Sequence, residues 1–127
     1  MKKTVLAFSR ITPAMVERLQ QDFDVIVPDP KQGDIAAQFN EALPQAHGLI
    51  GAGRPWVRTP LESAKQLDGV SSVSVGYDNY DVSYFNERGI MLTNTPDVLT
   101  ESTADLAFAL IMSSARRVAE LDAWTKA

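Results

Sequence analysis

No cysteine occurs in the chain, and there is a single histidine, His47. The first absence excludes disulfides and thiolate chemistry and suits a reducing compartment. Together the two leave no donor set for a zinc site. Long apolar runs are missing as well, since no stretch approaches the roughly 20 apolar residues of a membrane span. The start, Met1-Lys2-Lys3, is basic, but the apolar run behind it, Val5 to Phe8, is too short for a secretory signal. Basic surface is scarce. Twelve Lys and Arg against 16 Asp and Glu give a net charge of −4. The only adjacent basic pairs are Lys2-Lys3 and Arg116-Arg117, whereas a nucleic-acid surface needs a basic face. The expectation is a cytoplasmic protein that binds neither membrane nor nucleic acid.

What is present is a globular composition. The chain has 127 residues, 45% of them hydrophobic, which fits one compact domain burying roughly two thirds of its unfolded surface. Short apolar runs alternate with helical spacings. Val5 to Phe8 reads as a strand buried on both faces. Thr12 then serves as N-cap with Pro13 at the first helical position, ahead of Met15, Val16, Leu19 and Phe23. Val25 to Val27 is a second strand, Ile35 to Leu43 a weak helix, and His47 to Ile50 a third strand. Pro60 opens a helix presenting Leu61, Ala64 and Leu67, and Val70 to Val75 is a fourth strand. Val82, Phe85 and Asn86 lie on a short helix ended by Gly89, and Ile90 to Leu92 is the fifth strand. Strand–helix alternation of this kind predicts an α/β, flavodoxin-like, five-stranded parallel sheet with helices on both faces.

The last segment differs. Ser102 and Asp105 resemble a capping box, and Glu101 and Arg116-Arg117 complement the dipole of a long helix reaching Lys126. From Ala104 to Ala115 that helix is apolar on most of its circumference. Such a helix needs cover on most sides, supplied by a partner chain or, preferably, by protein outside this sequence.

Two strand ends carry glycine. Gly51-Ala52-Gly53 invites comparison with a dinucleotide fingerprint, but Trp56 stands at the third glycine position and the next helix waits until Pro60. A tight loop at the carboxyl edge of the sheet, where ligands bind in open α/β folds, fits better. Val75-Gly76-Tyr77-Asp78-Asn79 ends the fourth strand. Free N–H groups there could grip a carboxylate. A turn whose Asp and Asn side chains bond nearby amides is the simpler reading of the spacing alone. His47 starts a strand, the wrong end of the sheet for a site, and reads as structural. Ser9-Arg10 after the first strand is followed by no Gly-rich phosphate loop, and the acids of a phosphoacceptor site are absent from the strand ends. Residue patterns by themselves therefore reach an α/β ligand-binding domain.

Longer motifs go further. Ser72-Val73-Ser74-Val75-Gly76-Tyr77-Asp78-Asn79-Tyr80-Asp81, then Glu87-Arg88-Gly89-Ile90, then the run Thr93-Asn94-Thr95-Pro96-Asp97-Val98-Leu99-Thr100-Glu101-Ser102-Thr103-Ala104-Asp105, resemble the D-isomer-specific 2-hydroxyacid dehydrogenases. The likeness is strongest to their glyoxylate/hydroxypyruvate and 2-ketogluconate reductases. The resemblance implies two α/β domains around a cleft, the second a Rossmann domain that this sequence does not contain. It assigns 1–99 to an incomplete substrate-binding domain and 100–127 to a connecting helix toward an NAD(P)-binding domain. It implies substrate contacts from Val75, Gly76, Gly53 and Arg54, and Leu99 and Thr103 at the nicotinamide edge. It puts the catalytic histidine, its glutamate partner and the substrate-orienting arginine beyond Ala127. The implied activity is reduction of small 2-keto acids (glyoxylate, hydroxypyruvate or 2-ketogluconate) with NADP or NAD cofactors by a homodimer. The 127 residues alone would be inactive. The competing expectation is a free-standing module that binds an anion, or dimerises through the helix from Glu101 to Lys126, without catalysis.

Overall fold

A computed structural model describes residues 1–127, which fall into two compact units, Met1–Thr95 and Pro96–Ala127. The first unit holds five strands, β1 (Thr4–Ala7), β2 (Asp24–Ile26), β3 (Gly48–Gly51), β4 (Gly69–Ser72) and β5 (Met91–Thr93). All pair in parallel, in the order β2-β1-β3-β4-β5. Registers align one hydrophobic row across the sheet, Ile26, Leu6, Leu49, Val70 and Leu92. Because strand side chains alternate faces, this whole row lies on one side. It packs there with Phe39 and Ala42 of α2 (Ile35–Ala42), Leu61 of α3 (Arg58–Leu61), and Tyr84 and Phe85 of α4 (Val82–Arg88). The opposite side presents Val5, Gly48, Ile50, Gly69, Ser71 and Met91. Leu19 of α1 (Pro13–Gln20) and the following Phe23 meet that side. Helices therefore lie on both faces, as the strand–helix alternation predicts.

Local signals place several boundaries. Thr12 Oγ1 accepts the Met15 N–H at 3.3 Å, with Pro13 next in the chain. Asp81 caps α4 by accepting from the Tyr84 N–H at 3.0 Å, and Gly89 closes it with φ +67°, a conformation glycine adopts without a Cβ penalty. His47 serves the sheet, its Nδ1 accepting the Thr4 N–H at 3.2 Å. Lys3 hydrogen-bonds Asp68 at 2.7 Å and holds that carboxyl below its ordinary value. Both groups are exposed, so the pair contributes little stability, and what it contributes is lost as acid protonates Asp68.

Three expectations need correction. The helix from Pro60 is one turn long and starts earlier, at Arg58. The Leu61, Ala64, Leu67 spacing is instead met by successive turns, with the Ala64 N–H donating to Leu61 O and the Leu67 N–H to Ala64 O. The Arg88 guanidinium, arriving from α4, donates at 2.8 Å to both of those carbonyls. A three-residue spacing buries the same side chains whether the backbone is helix or turn. The fourth strand ends at Ser72 rather than Val75, because β3, its partner, ends at Gly51; the Val73 N–H donates the last bond, to Gly51 O.

The second unit supplies the third correction. Its helix begins at Thr100 with Leu99 as N-cap, and Ser102, within the first turn, donates to Leu99 O at 3.2 Å. No capping box forms, since a turn at Pro96–Leu99, with Asp97 at φ +64°, has already wound the chain. The helix is also interrupted: α5 (Thr100–Ala115) and α6 (Val118–Lys126) are separated at Arg117, which has φ +53° and pairs with Glu120. No helix of the chain is long and apolar enough to cross a membrane.

Close packing at the end of β3 yields a stability prediction. A methyl group at Gly51 would fall 2.6 Å from Phe8 Cε2, and the Phe8 ring is held edge-on against Phe39 and Trp56. Gly51→Ala should lower unfolding free energy by about 1–3 kcal/mol in urea titration. An unchanged midpoint would show that Phe8 yields freely.

Candidate functional site

The carboxyl edge of the sheet carries three loops in spatial sequence, after β1, β3 and β4, the strands running in the order β1-β3-β4. The chain leaves β1 toward β2 and returns at β3. The crevice between β1 and β3 is therefore the topological switch point, where ligands sit in open parallel sheets. A cleft of about 430 Å³ opens at this edge, lined by Arg10, Gly53, Pro55, Ser74, Gly76, Asp78 and Asn79.

The early end of β4 decides the chemistry of the cleft. Past Val73, the backbone N–H groups of Val75 and Gly76 have no acceptor within the chain, whereas the carbonyls of the same peptides do. Ser74 O accepts the Thr95 N–H at 3.1 Å, and Val75 O accepts Asn94 Nδ2 at 2.8 Å. No peptide bond in the chain is cis. In a planar trans peptide the C=O and N–H point in opposite directions. Fixing both carbonyls toward 94–95 therefore turns both N–H groups away from that segment. Two adjacent donors held this way can grip an anion. Val75 and Gly76 are exposed, so a ligand can reach them.

The facing loop is stitched to this one. The Trp56 N–H donates to Asn79 O, the Asp81 N–H to Trp56 O, and Asn79 Nδ2 to Arg54 O, each at 2.8 Å. The Trp56 side chain is fully buried between Phe8 and Phe39 and anchors the stitch to the core. Gly53, at φ +75° with open space where a Cβ would stand, reaches the cleft. The Arg54 side chain lies elsewhere, its guanidinium 4.1 Å from the centre of the Phe39 ring and 5.5 Å from that of Trp56. The structure thus brings Gly53 and Gly76 into one cleft, with Val75 beside it, and places the Arg54 charge over aromatic rings. Asn94, Asn79 and Trp56 carry this geometry, and sequence reasoning missed their roles.

A matching family model, the D-isomer specific 2-hydroxyacid dehydrogenase catalytic domain, covers residues 5–125. The chain belongs to this family. Glyoxylate/hydroxypyruvate reductase B of Yersinia enterocolitica is 43% identical over all 127 residues, and the Klebsiella pneumoniae protein of the same name is 39% identical. The chain spans 39% of the length of those relatives. Among solved structures, a 2-hydroxyacid dehydrogenase from Ketogulonicigenium vulgare superposes with a TM-score of 0.78 at 31% identity, over 99% of this chain and 40% of that one. An NADPH-dependent glyoxylate/hydroxypyruvate reductase from Sinorhizobium meliloti, crystallised with citrate, gives 0.73 at 30% identity, over 98% and 39%.

A nicotinamide dinucleotide, which the family implies, does not fit the loop that first invites it. The Gly51–Gly53 segment runs through Arg54–Val57 before one-turn α3, so no helix start stands ready for a pyrophosphate. The space beside Gly51 is filled by the Phe8 ring. Leu99 and Thr103 are exposed at the start of α5. His47 stands at the amino end of β3, across the sheet from the cleft.

Asn94 gives the direct test of this geometry. Asn94→Ala should leave the fold intact at a cost of about 1 kcal/mol while freeing the Val75–Gly76 peptide. The Gly76 amide order parameter in ¹⁵N relaxation should drop from about 0.85 toward 0.6. An unchanged order parameter would mean that something other than Asn94 orients this peptide.

Proposed function

We propose that this chain is the substrate-binding portion of an NAD(P)H-dependent reductase of small 2-keto acids, with glyoxylate, hydroxypyruvate and 2-ketogluconate as the candidate substrates. The observation that carries the proposal is the pair of unbonded Val75 and Gly76 N–H groups, fixed outward beside Gly53. A 2-keto acid always presents a carboxylate, and two oriented amides suit it. Gly53 and the backbone of Arg54 form the facing wall. Because those donors are fixed before the ligand arrives, the carboxylate is held in one orientation with little cost of ordering the protein. The adjacent keto carbon is then set at a defined place in the cleft.

The rest of the reaction belongs to protein beyond these residues. A nicotinamide cofactor, NADP or NAD, would supply hydride chemistry, with Leu99 and Thr103 touching only its edge. The proton for the keto oxygen needs a general acid, and His47, engaged with the Thr4 N–H at the wrong end of the sheet, is not that acid. The apolar surface of α5, where Leu106, Phe108 and Ile111 are each more than 60% exposed, requires cover. In the complete protein we assign that cover to further chain and to a homodimer partner. A cytoplasmic location fits a chain that uses no disulfide.

Two assays separate the parts of this reading. The 127-residue chain should oxidise neither NADPH nor NADH in the presence of glyoxylate or hydroxypyruvate. A protein continuing past Ala127 to the length of the relatives should do so. Turnover by the short chain, or none by the long one with any of the three acids, would contradict the proposal.

A further inference from the structure

Arg10 is the one cation lining the cleft, which also holds one carboxylate, Asp78. It follows β1, on the loop that faces Gly53 across the switch point. Its backbone has φ +57°, the left-handed region, which costs a residue bearing a Cβ on the order of 1 kcal/mol. No structural bond compensates for that conformation. The Arg10 side chain takes part in no ion pair or hydrogen bond within the chain, and the residue is exposed. A strained residue that lines a cleft and whose charge is unpaired is a candidate ligand-binding position.

Strand order places this charge relative to the amide cradle. The loops after β1 and β4 are separated by β3, so their bases stand about 10 Å apart, two strand spacings. A three-carbon acid seated by one carboxylate on the Val75 and Gly76 amides, together with an extended arginine side chain from the β1 loop, is long enough to bridge that separation.

We propose that Arg10 is a specificity-determining residue. Its guanidinium grips the end of the ligand remote from the amide cradle, so the cleft favours acids whose second end carries an anionic or polar oxygen over simple monocarboxylates. This rests on the cradle reading given above. A guanidinium–carboxylate contact is charge-assisted and can be bidentate, which suits a second anchor at the remote end.

The test is calorimetric titration of the full 127-residue chain with malonate and with acetate, which differ by one carboxylate. Malonate should bind about tenfold more tightly than acetate, and Arg10→Gln should remove most of that ratio while changing acetate by less than about twofold. Arg10→Lys should retain part of the preference. Arg10→Gly should lose it while raising the thermal midpoint, because glycine relieves the positive φ; a purely structural arginine would lower the midpoint and leave the ratio alone. Lys65→Gln, a charge change at the amino edge of β4, should leave both affinities unchanged. A malonate-to-acetate ratio unaffected by Arg10→Gln overturns this inference and leaves the cradle standing. Failure of the unsubstituted chain to bind either acid overturns both.

Discussion

Two hydrogen bonds from 94–95 to the carbonyls of Ser74 and Val75 determine what this fold can bind. A peptide plane offers one acceptor and one donor on opposite sides, so satisfying the acceptor from one direction commits the donor to the other. The donors are free only because β4 stops at Ser72, and β4 stops because its neighbour β3 is four residues long. Strand length, a property of the sheet, thus becomes a property of the site. Had the ladder with β3 continued through Val75, the Val75 amide, on the same side as that of Val73, would have been consumed by sheet pairing.

Rigidity of the opposite wall has a different origin. The loop after β3 is tied to the loop after β4 by three 2.8 Å hydrogen bonds and by the burial of Trp56 among Phe8 and Phe39. Apolar burial of the indole and the three neutral hydrogen bonds, each of about 1 kcal/mol, act on the same loops, so the core beneath the sheet edge helps hold them. That stitching also encloses Trp56 Nε1 and Tyr80 Oη, which make no hydrogen bond within the chain. Fixed loops on a packed edge are what a carboxylate site needs, because each donor must be in place before the ligand arrives.

Much of the fold could be read from local pattern. The row from Ile26 through Leu6, Leu49 and Val70 to Leu92 is visible as apolar runs at regular intervals, and Thr12 and Gly89 mark helix ends by residue type alone. What escaped was decided at a distance. The one-turn α3 depends on Arg88 meeting carbonyls 24 and 27 residues away, and the end of β4 depends on its neighbour. Gly76 was legible as a strand-end glycine and Gly53 as a tight loop. Asn94 was not, because an asparagine after a strand ordinarily reads as a turn residue and its partner lies 19 residues back. Arg54 misled, since the Phe39 and Trp56 rings that draw its guanidinium away from the cleft are brought together only in three dimensions.

Membership in the 2-hydroxyacid dehydrogenase family and the amide geometry both support the proposed carboxylate recognition. That proposal is tested most directly by titrating the ¹⁵N-labelled chain with oxamate, an unreactive mimic of a 2-keto acid, and following the amide resonances. The account predicts saturable shifts led by the Val75 and Gly76 N–H groups, with the Tyr80 amide, already bonded to Tyr77 O, little changed. Saturable shifts that bypass Val75 and Gly76, or no shift at any amide, would contradict it.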